Sequence, residues 1–176
     1  MAVERNLDDS YIYARLVEAL DDSLLAIELF ERGFTRNSTR KVFTAVKALL
    51  SALVVKYGDK LVQLAKDEKE KEWVKKRAHT VPTRSMKTLE MYFEKVVITV
   101  DLIVELALDL RGYQLNGFDC DFSRYRTIEE VKNDMIEVIS EIPELINKYF
   151  EIKDSMIIAL EEKVKSELKK FEDLSK

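Results

Sequence analysis

Residues 8–33 read DDSYIYARLVEALDDSLLAIELFERG, and residues 37–57 read NSTRKVFTAVKALLSALVVKY. In the first segment Ile12, Leu16, Ala19, Leu20, Ser23, Ile27 and Phe30 recur at steps of three and four, the spacing of one helical face. Asp8 or Asp9 can cap its start, and Gly33 follows the last apolar turn, where a helix ends most easily. The second segment opens at Asn37 or Ser38, both competent caps, and carries Val42, Phe43, Ala45, Val46, Leu49, Leu50, Leu53 and Val54 up to Tyr57, ahead of Gly58. Its apolar arc is wider than one stripe, so this helix is expected to be the most buried. The join from Gly33 to Asn37 is short enough to force an antiparallel hairpin.

Beyond this hairpin, ten of the twelve positions from Lys66 to Arg77 are charged, Trp73 and Val74 being the exceptions. With Pro82 disfavouring helix at Val81, residues 59–83 read as a helix with a solvated outer half, ending in a loop at 79–83. A third helix is expected over 84–111, with Met86, Leu89, Phe93, Val96, Val100, Ile103, Ala107 and Leu110 on one face and Gly112 stopping it. The segment 112–126 combines an Asn116-Gly117 turn with Tyr113, Phe118, Phe122 and Tyr125, the make-up of a packed loop. Thr127-Ile128-Glu129-Glu130 is a capping box that opens a fourth helix. Pro143 either kinks that helix or begins another, and Asp154-Ser155 can cap a fifth. The helical period then continues to Phe171.

No stretch alternates long enough for a strand, and 4 Gly and 2 Pro are too few for the turns of a sandwich or barrel. The expected fold is all-α: one domain over 1–176, with an up-and-down antiparallel four-helix bundle at about 8–150 and an additional C-terminal helical segment at about 151–176. As one rod, residues 127–172 would reach about 69 Å. Their apolar seam (Tyr149, Ile152, Met156, Leu160, Val164, Leu168, Phe171) must fold back or lie against a second subunit, and a homodimer is the expectation.

Composition narrows the function. The net charge is −4, with 29 basic and 33 acidic residues, so no global charge favours nucleic acid. One Cys and one His exclude an intramolecular disulfide and a Cys/His zinc cage. No 18-residue uncharged apolar run exists to span a membrane, and Met1–Arg5 shows no apolar leader, which predicts a cytoplasmic protein. Few Gln, one Cys and many Lys and Glu fit the profile of a thermophile, with an archaeal source expected.

Cys120 lies between Asp119 and Asp121, which oppose a thiolate. Asp119, Asp121, Ser123, Tyr125, Thr127 and Glu130 share the spacing of a calcium loop, but Arg124 occupies its glycine position. The carboxylate pairs Glu141–Glu144 and Glu161–Glu162 read as surface charge. The segment from Trp73 to Lys87 has five Lys/Arg and no acid. Trp73, Lys75, Lys76, Arg77, His79, Arg84 and Lys87 are therefore the candidate site, with cations for phosphates and rings for a base. The competing reading of this segment is a solvated helix laced with ion pairs.

The hairpin with Ala26-Ile27-Glu28-Leu29-Phe30-Glu31-Arg32-Gly33 followed by Ser38-Thr39-Arg40-Lys41-Val42-Phe43-Thr44-Ala45-Val46-Lys47-Ala48-Leu49-Leu50 resembles the first hairpin of archaeal PaREP-type helical proteins. The loop Leu115-Asn116-Gly117-Phe118 extends the likeness. These belong with HEPN-like four-helix bundles, which include nucleotidyltransferase substrate-binding subunits. The resemblance implies a bundle and a dimer habit. Catalytic HEPN members carry an Arg followed four to six residues later by His. Here positions 73–75 ahead of His79 hold Trp, Val and Lys, and Arg111 is followed at 115–117 by Leu, Asn and Gly, so no nuclease residue carries over. The expectation is a non-catalytic binding or assembly module for nucleotide or RNA, without metal or cofactor. The alternatives are a degenerate metal-independent ribonuclease of toxin type using Arg111, Asn116 or His79, or a helical subunit beside a nucleotidyltransferase-type partner.

Overall fold

The structure, a computed structural model, describes residues 8–174. The reading of Met1–Arg5 lies outside them. The chain is all-helical, with no strand among the described residues: α1 (Asp9–Glu31), α2 (Thr35–Lys56), α3 (Gly58–Leu64), α4 (Glu68–Lys76), α5 (Met86–Lys95), α6 (Asp101–Asn116), α7 (Ile128–Tyr149) and α8 (Ser155–Asp173), with 3-10 turns at Ala78–Thr80 and Thr83–Ser85.

Asp8 caps α1, its carboxylate accepting from the Ser10 and Tyr11 amides. The helix ends as expected at Gly33, whose φ of +86° lets the Phe34 amide reach Leu29 O at 2.9 Å and the Gly33 amide reach Phe30 O at 3.0 Å. That is a Schellman turn. It leads directly into α2, which therefore starts at Thr35, earlier than the caps at Asn37 or Ser38 suggested. Ser38 is instead fully buried, its hydroxyl donating to Ala26 O at 2.7 Å.

Hydrogen bonds fix the helix directions. Partners at Ala26–Ser38, Asp22–Thr44 and Tyr11–Ser51 run in opposite order along α1 and α2, so the hairpin is antiparallel. The start of α2 meets the end of α6, where Thr35 Oγ1 lies 2.8 Å from the Tyr113 hydroxyl and Arg36 donates to Gln114 O and Leu115 O at 2.7 and 2.6 Å. Helix α7 runs parallel to α2, from Met135 beside Ser38 to Tyr149 O, which takes hydrogen bonds from Lys56 and Tyr57. Helix α8 reverses again, with Asn147 bonded to Glu161 and Lys165 paired with Glu144. The five long helices alternate in direction along the chain, and α2 lies at the centre as the most buried of them.

Three expectations need correction. The continuous helix over 84–111 is two helices, because Val97 adopts φ +64° and breaks the run between α5 and α6. Gly112 does not stop a helix. It sits inside α6, where an added Cβ would come within 3.3 Å of Phe122 O, so its small size admits the loop; α6 ends at Gly117. The helix expected over 59–83 is also divided, into α3 beginning at Gly58 itself and α4 capped by Asp67.

The capping box at Thr127 and Glu130 is present as read. Pro143 lies within an unbroken α7, so it begins no new helix. Asp154 caps α8, accepting from Met156 and Ile157 amides at 2.9 and 3.1 Å. The C-terminal seam folds back onto its own chain. Of its residues Tyr149, Val164, Leu168 and Phe171 are buried, Ile152 and Leu160 are half-buried and Met156 is exposed, with α8 packed against α1 and α7. The seam that prompted the expectation of a dimer is thus largely covered within one chain.

Candidate functional site

Helices α3 to α5 and the two 3-10 turns join the end of α2 to the start of α6, and they carry all seven nominated residues. Val74 turns inward from α4 and is buried, while Trp73 is half-buried against the core. The Tyr92 hydroxyl of α5 donates to Glu70 Oε1, binding α5 to α4. Burial and this carboxylate push the Tyr92 phenol up to about 12, and the same hydrogen bond holds Glu70 below the usual carboxylate range.

The basic residues divide into two groups. Lys76 pairs with Glu72 at 2.8 Å, and Lys87 bridges Glu105 at 2.8 Å and Glu90 at 3.2 Å. Lys71 likewise pairs with Glu68 at 2.7 Å, so the ion-pair reading holds for this half. Lys75, Arg77 and Arg84 are exposed, with no carboxylate at ion-pair distance among the described residues. These three remain available to an external anion.

His79 serves as an anchor. Its carbonyl accepts from Ser51 Oγ at 2.5 Å, and its ring meets Tyr11 edge-on, with centroids 5.9 Å apart. Tyr11 OH lies 2.8 Å from the same Ser51 oxygen. Ser51 thus gives its proton to the histidine's backbone and not to the imidazole, an arrangement that generates no nucleophile.

A cleft of about 480 Å³ opens between α5 and α6, lined by Glu90, Glu94, Asp101 and Glu105 together with Ile98, Thr99 and Val100. Its charge is opposite to that of the basic stretch beside it. Lys87 is paired with two of these carboxylates, Glu90 and Glu105.

A second basic site escaped the sequence reading. The Arg111 guanidinium of α6 lies over the Phe43 ring of α2, 4.8 Å from the centroid, and Lys47 Nζ lies 5.8 Å from it. Both cations are half-buried. Burial, and then the charge of Arg111, hold the Lys47 ammonium below the ordinary lysine value. A signal was available: residues 32–58 contain Arg32, Arg36, Arg40, Lys41, Lys47 and Lys56 but no Asp or Glu.

Other groups resolve into structure. Asn116 Nδ2 donates to Gly112 O at 3.1 Å. Asp119, Cys120 and Asp121 are exposed neighbours whose side-chain ligand atoms lie within 4.8 Å of one another. The remaining positions of the calcium-like spacing are occupied locally, with the Tyr125 hydroxyl on Asp134 at 2.7 Å and Glu130 in the capping box. Burial, followed by Asp134, raises the Tyr125 phenol far above its usual value. Glu161 is not the surface charge that its sequence position suggests: it is 6% exposed, between α7 and α8. No described helix is long and apolar enough to cross a membrane.

In comparisons with known proteins, the model of the archaeal PaREP1/PaREP8 family matches residues 14–136, from within α1 into α7. No curated protein and no solved structure matches the chain.

Proposed function

The chain belongs to the archaeal PaREP1/PaREP8 family, and from that premise we propose that it is a non-catalytic, HEPN-like helical module that binds nucleotide or RNA. In this reading α1, α2, α6 and α7 form a four-helix core, and α8 is an added helix laid along it. Residues 58–100 are the ligand-facing insertion.

The observation that carries the reading is the set Lys75, Arg77 and Arg84, exposed and without carboxylates in a segment that has no acid from Trp73 to Leu89. Cations so placed neutralise phosphates and release counterions, whereas Lys76 and Lys87 are already compensated. Trp73, half-buried on α4, offers its remaining exposed ring surface to a base.

Fluorescence anisotropy with a short labelled oligouridine RNA at low salt tests the proposal. Replacing Lys75, Arg77 and Arg84 together by Ala should weaken binding by about tenfold or more. Binding that is absent in the wild type, or unchanged in the triple variant, sinks it. Gel analysis of the same RNA distinguishes the ribonuclease alternative, since cleavage lost in His79→Ala would establish an enzyme.

A further inference from the structure

Helix α2 is central in the fold and carries five cations and no carboxylate. Lys41 pairs with Asp22 at 3.1 Å, Arg36 caps the carbonyl end of α6, and Lys56 donates to Tyr149 O. Arg40 and Lys47 remain. Together with Arg36 and Phe43 they follow a spacing of four, three and four residues, which places all of them along one face of the helix. Arg111 approaches this face from α6 and lies over the same Phe43 ring that Lys47 approaches.

Helix α6 supplies no counter-charge here. Its Glu105 is engaged with Lys87 and its Asp109 with Arg124. Among the described residues, Arg40, Lys47 and Arg111 have no carboxylate at ion-pair distance. Two half-buried like charges near one aromatic ring repel each other, while the ring face attracts each of them. Phe43 is 3% exposed, and an apolar side chain at position 47 could cover it without that repulsion. An anion bound by both cations would relieve that repulsion.

We infer that the junction of α2 and α6 at Phe43 is a phosphate-binding subsite, in which Lys47 and Arg111 converge on one phosphate group of a nucleotide or RNA strand and Arg40 supports the next. The guanidinium presents a fork of donors and the ammonium a point charge, a pairing suited to a phosphate ester. Arg40 and Lys47 are about 10 Å apart along the helix axis. One turn beyond Lys47 stands Ser51, on which the turn carrying His79 is anchored, so this face of α2 runs toward the turn that follows Arg77. The subsite therefore rests on the proposed nucleotide- or RNA-binding function and extends it.

The test is an NMR titration of the full chain, following the Arg111 Nε–H and Lys47 Nζ signals, with inorganic phosphate, ADP and oligouridine as separate probes at low salt. Saturable shifts of both signals are expected with ADP or oligouridine, and the stronger of the two identifies a mononucleotide or a strand as the ligand. Lys47→Met and Arg111→Gln should each weaken binding of that probe by about tenfold. Lys47→Met should leave the thermal midpoint unchanged or raised, because it removes a repulsion. A loss of folding in Lys47→Met would mark the lysine as structural and overturn the inference. So would binding that survives both variants but is lost in the Lys75/Arg77/Arg84 triple variant, a result that would leave the proposed function standing. Failure of every probe would overturn both.

Discussion

Replacing Phe171 by Ala tests whether the C-terminal helix belongs to its own chain. The ring is fully buried in the last turns of α8, packs edge-on against Phe30 of α1 with centroids 5.3 Å apart, and lies beneath Lys132 Nζ of α7 at 4.3 Å. Truncating a buried Phe costs about 3–5 kcal/mol, including the cavity left behind. The Phe30 contact contributes roughly 0.5–1.5 kcal/mol of that. Because a terminal helix can fray locally instead of carrying the whole strain, the lower end applies, at about 3 kcal/mol. For a chain of this size that lowers the thermal midpoint by roughly 10 °C. Urea unfolding followed by circular dichroism measures it, and the loss should be the same across a wide range of protein concentration. A loss below about 1 kcal/mol, or one that grows steeply on dilution, would show that the seam is not held within the chain and that a second copy covers it.

Two further outcomes follow from single atoms and torsions. Val97 holds the left-handed position of a Schellman turn at the end of α5, with Ile98 N bonded to Phe93 O at 2.8 Å and Val97 N to Glu94 O at 3.0 Å, and its side chain is 84% exposed. Val97→Gly removes about 1–2 kcal/mol of backbone strain and returns part of it as unfolded-state entropy, so the variant should gain roughly 0.5–1 kcal/mol; a loss of stability in urea would contradict this. Glu161 accepts from Asn147 at 3.2 Å through Oε2, has no partner at Oε1, and is raised above the usual carboxylate range by burial. Its folded value exceeds its unfolded one, so the penalty is absent below about pH 4.5 and appears as pH rises through the folded value. Glu161→Gln should match the wild type at low pH and exceed it by about 1 kcal/mol at neutral pH. A difference that does not change with pH would refute the assignment.

The helices that the sequence predicts well are those whose ends use common chemistry. Gly33 supplies the left-handed turn that glycine adopts freely, and α1 ends there as expected. Val97 makes the same turn, but a β-branched residue in the middle of an apolar period gives no sign of it, so α5 and α6 read as one helix. The opposite error occurs at Gly112, which looks like a stop but is small to admit the loop carrying Phe122. The N-terminal capping boundaries at Asp8 and Thr127 were readable because the whole signal lies within four residues.

The candidate site was half legible for a related reason. A run of neighbouring cations is visible along the chain, whereas its neutralisation depends on distant residues: Lys87 is taken by Glu105, eighteen positions away. The pairing of Lys47 with Arg111 at Phe43 depends on α2 meeting α6, a contact that helical periodicity does not specify. The absence of any acid from residue 32 to 58 was its only trace in the sequence. Glu161 misled in the same way, since one face of α8 looks polar until α7 covers it.

The salt dependence of RNA affinity counts the phosphates that the basic residues engage. If Lys75, Arg77 and Arg84 neutralise three phosphates of a single strand, the logarithm of the association constant should fall linearly with the logarithm of salt, with a slope of about −2. Engagement of the two further phosphates at Lys47/Arg111 and at Arg40 would steepen it to about −3.5. A slope near zero, or no measurable binding at the lowest salt, would contradict the account.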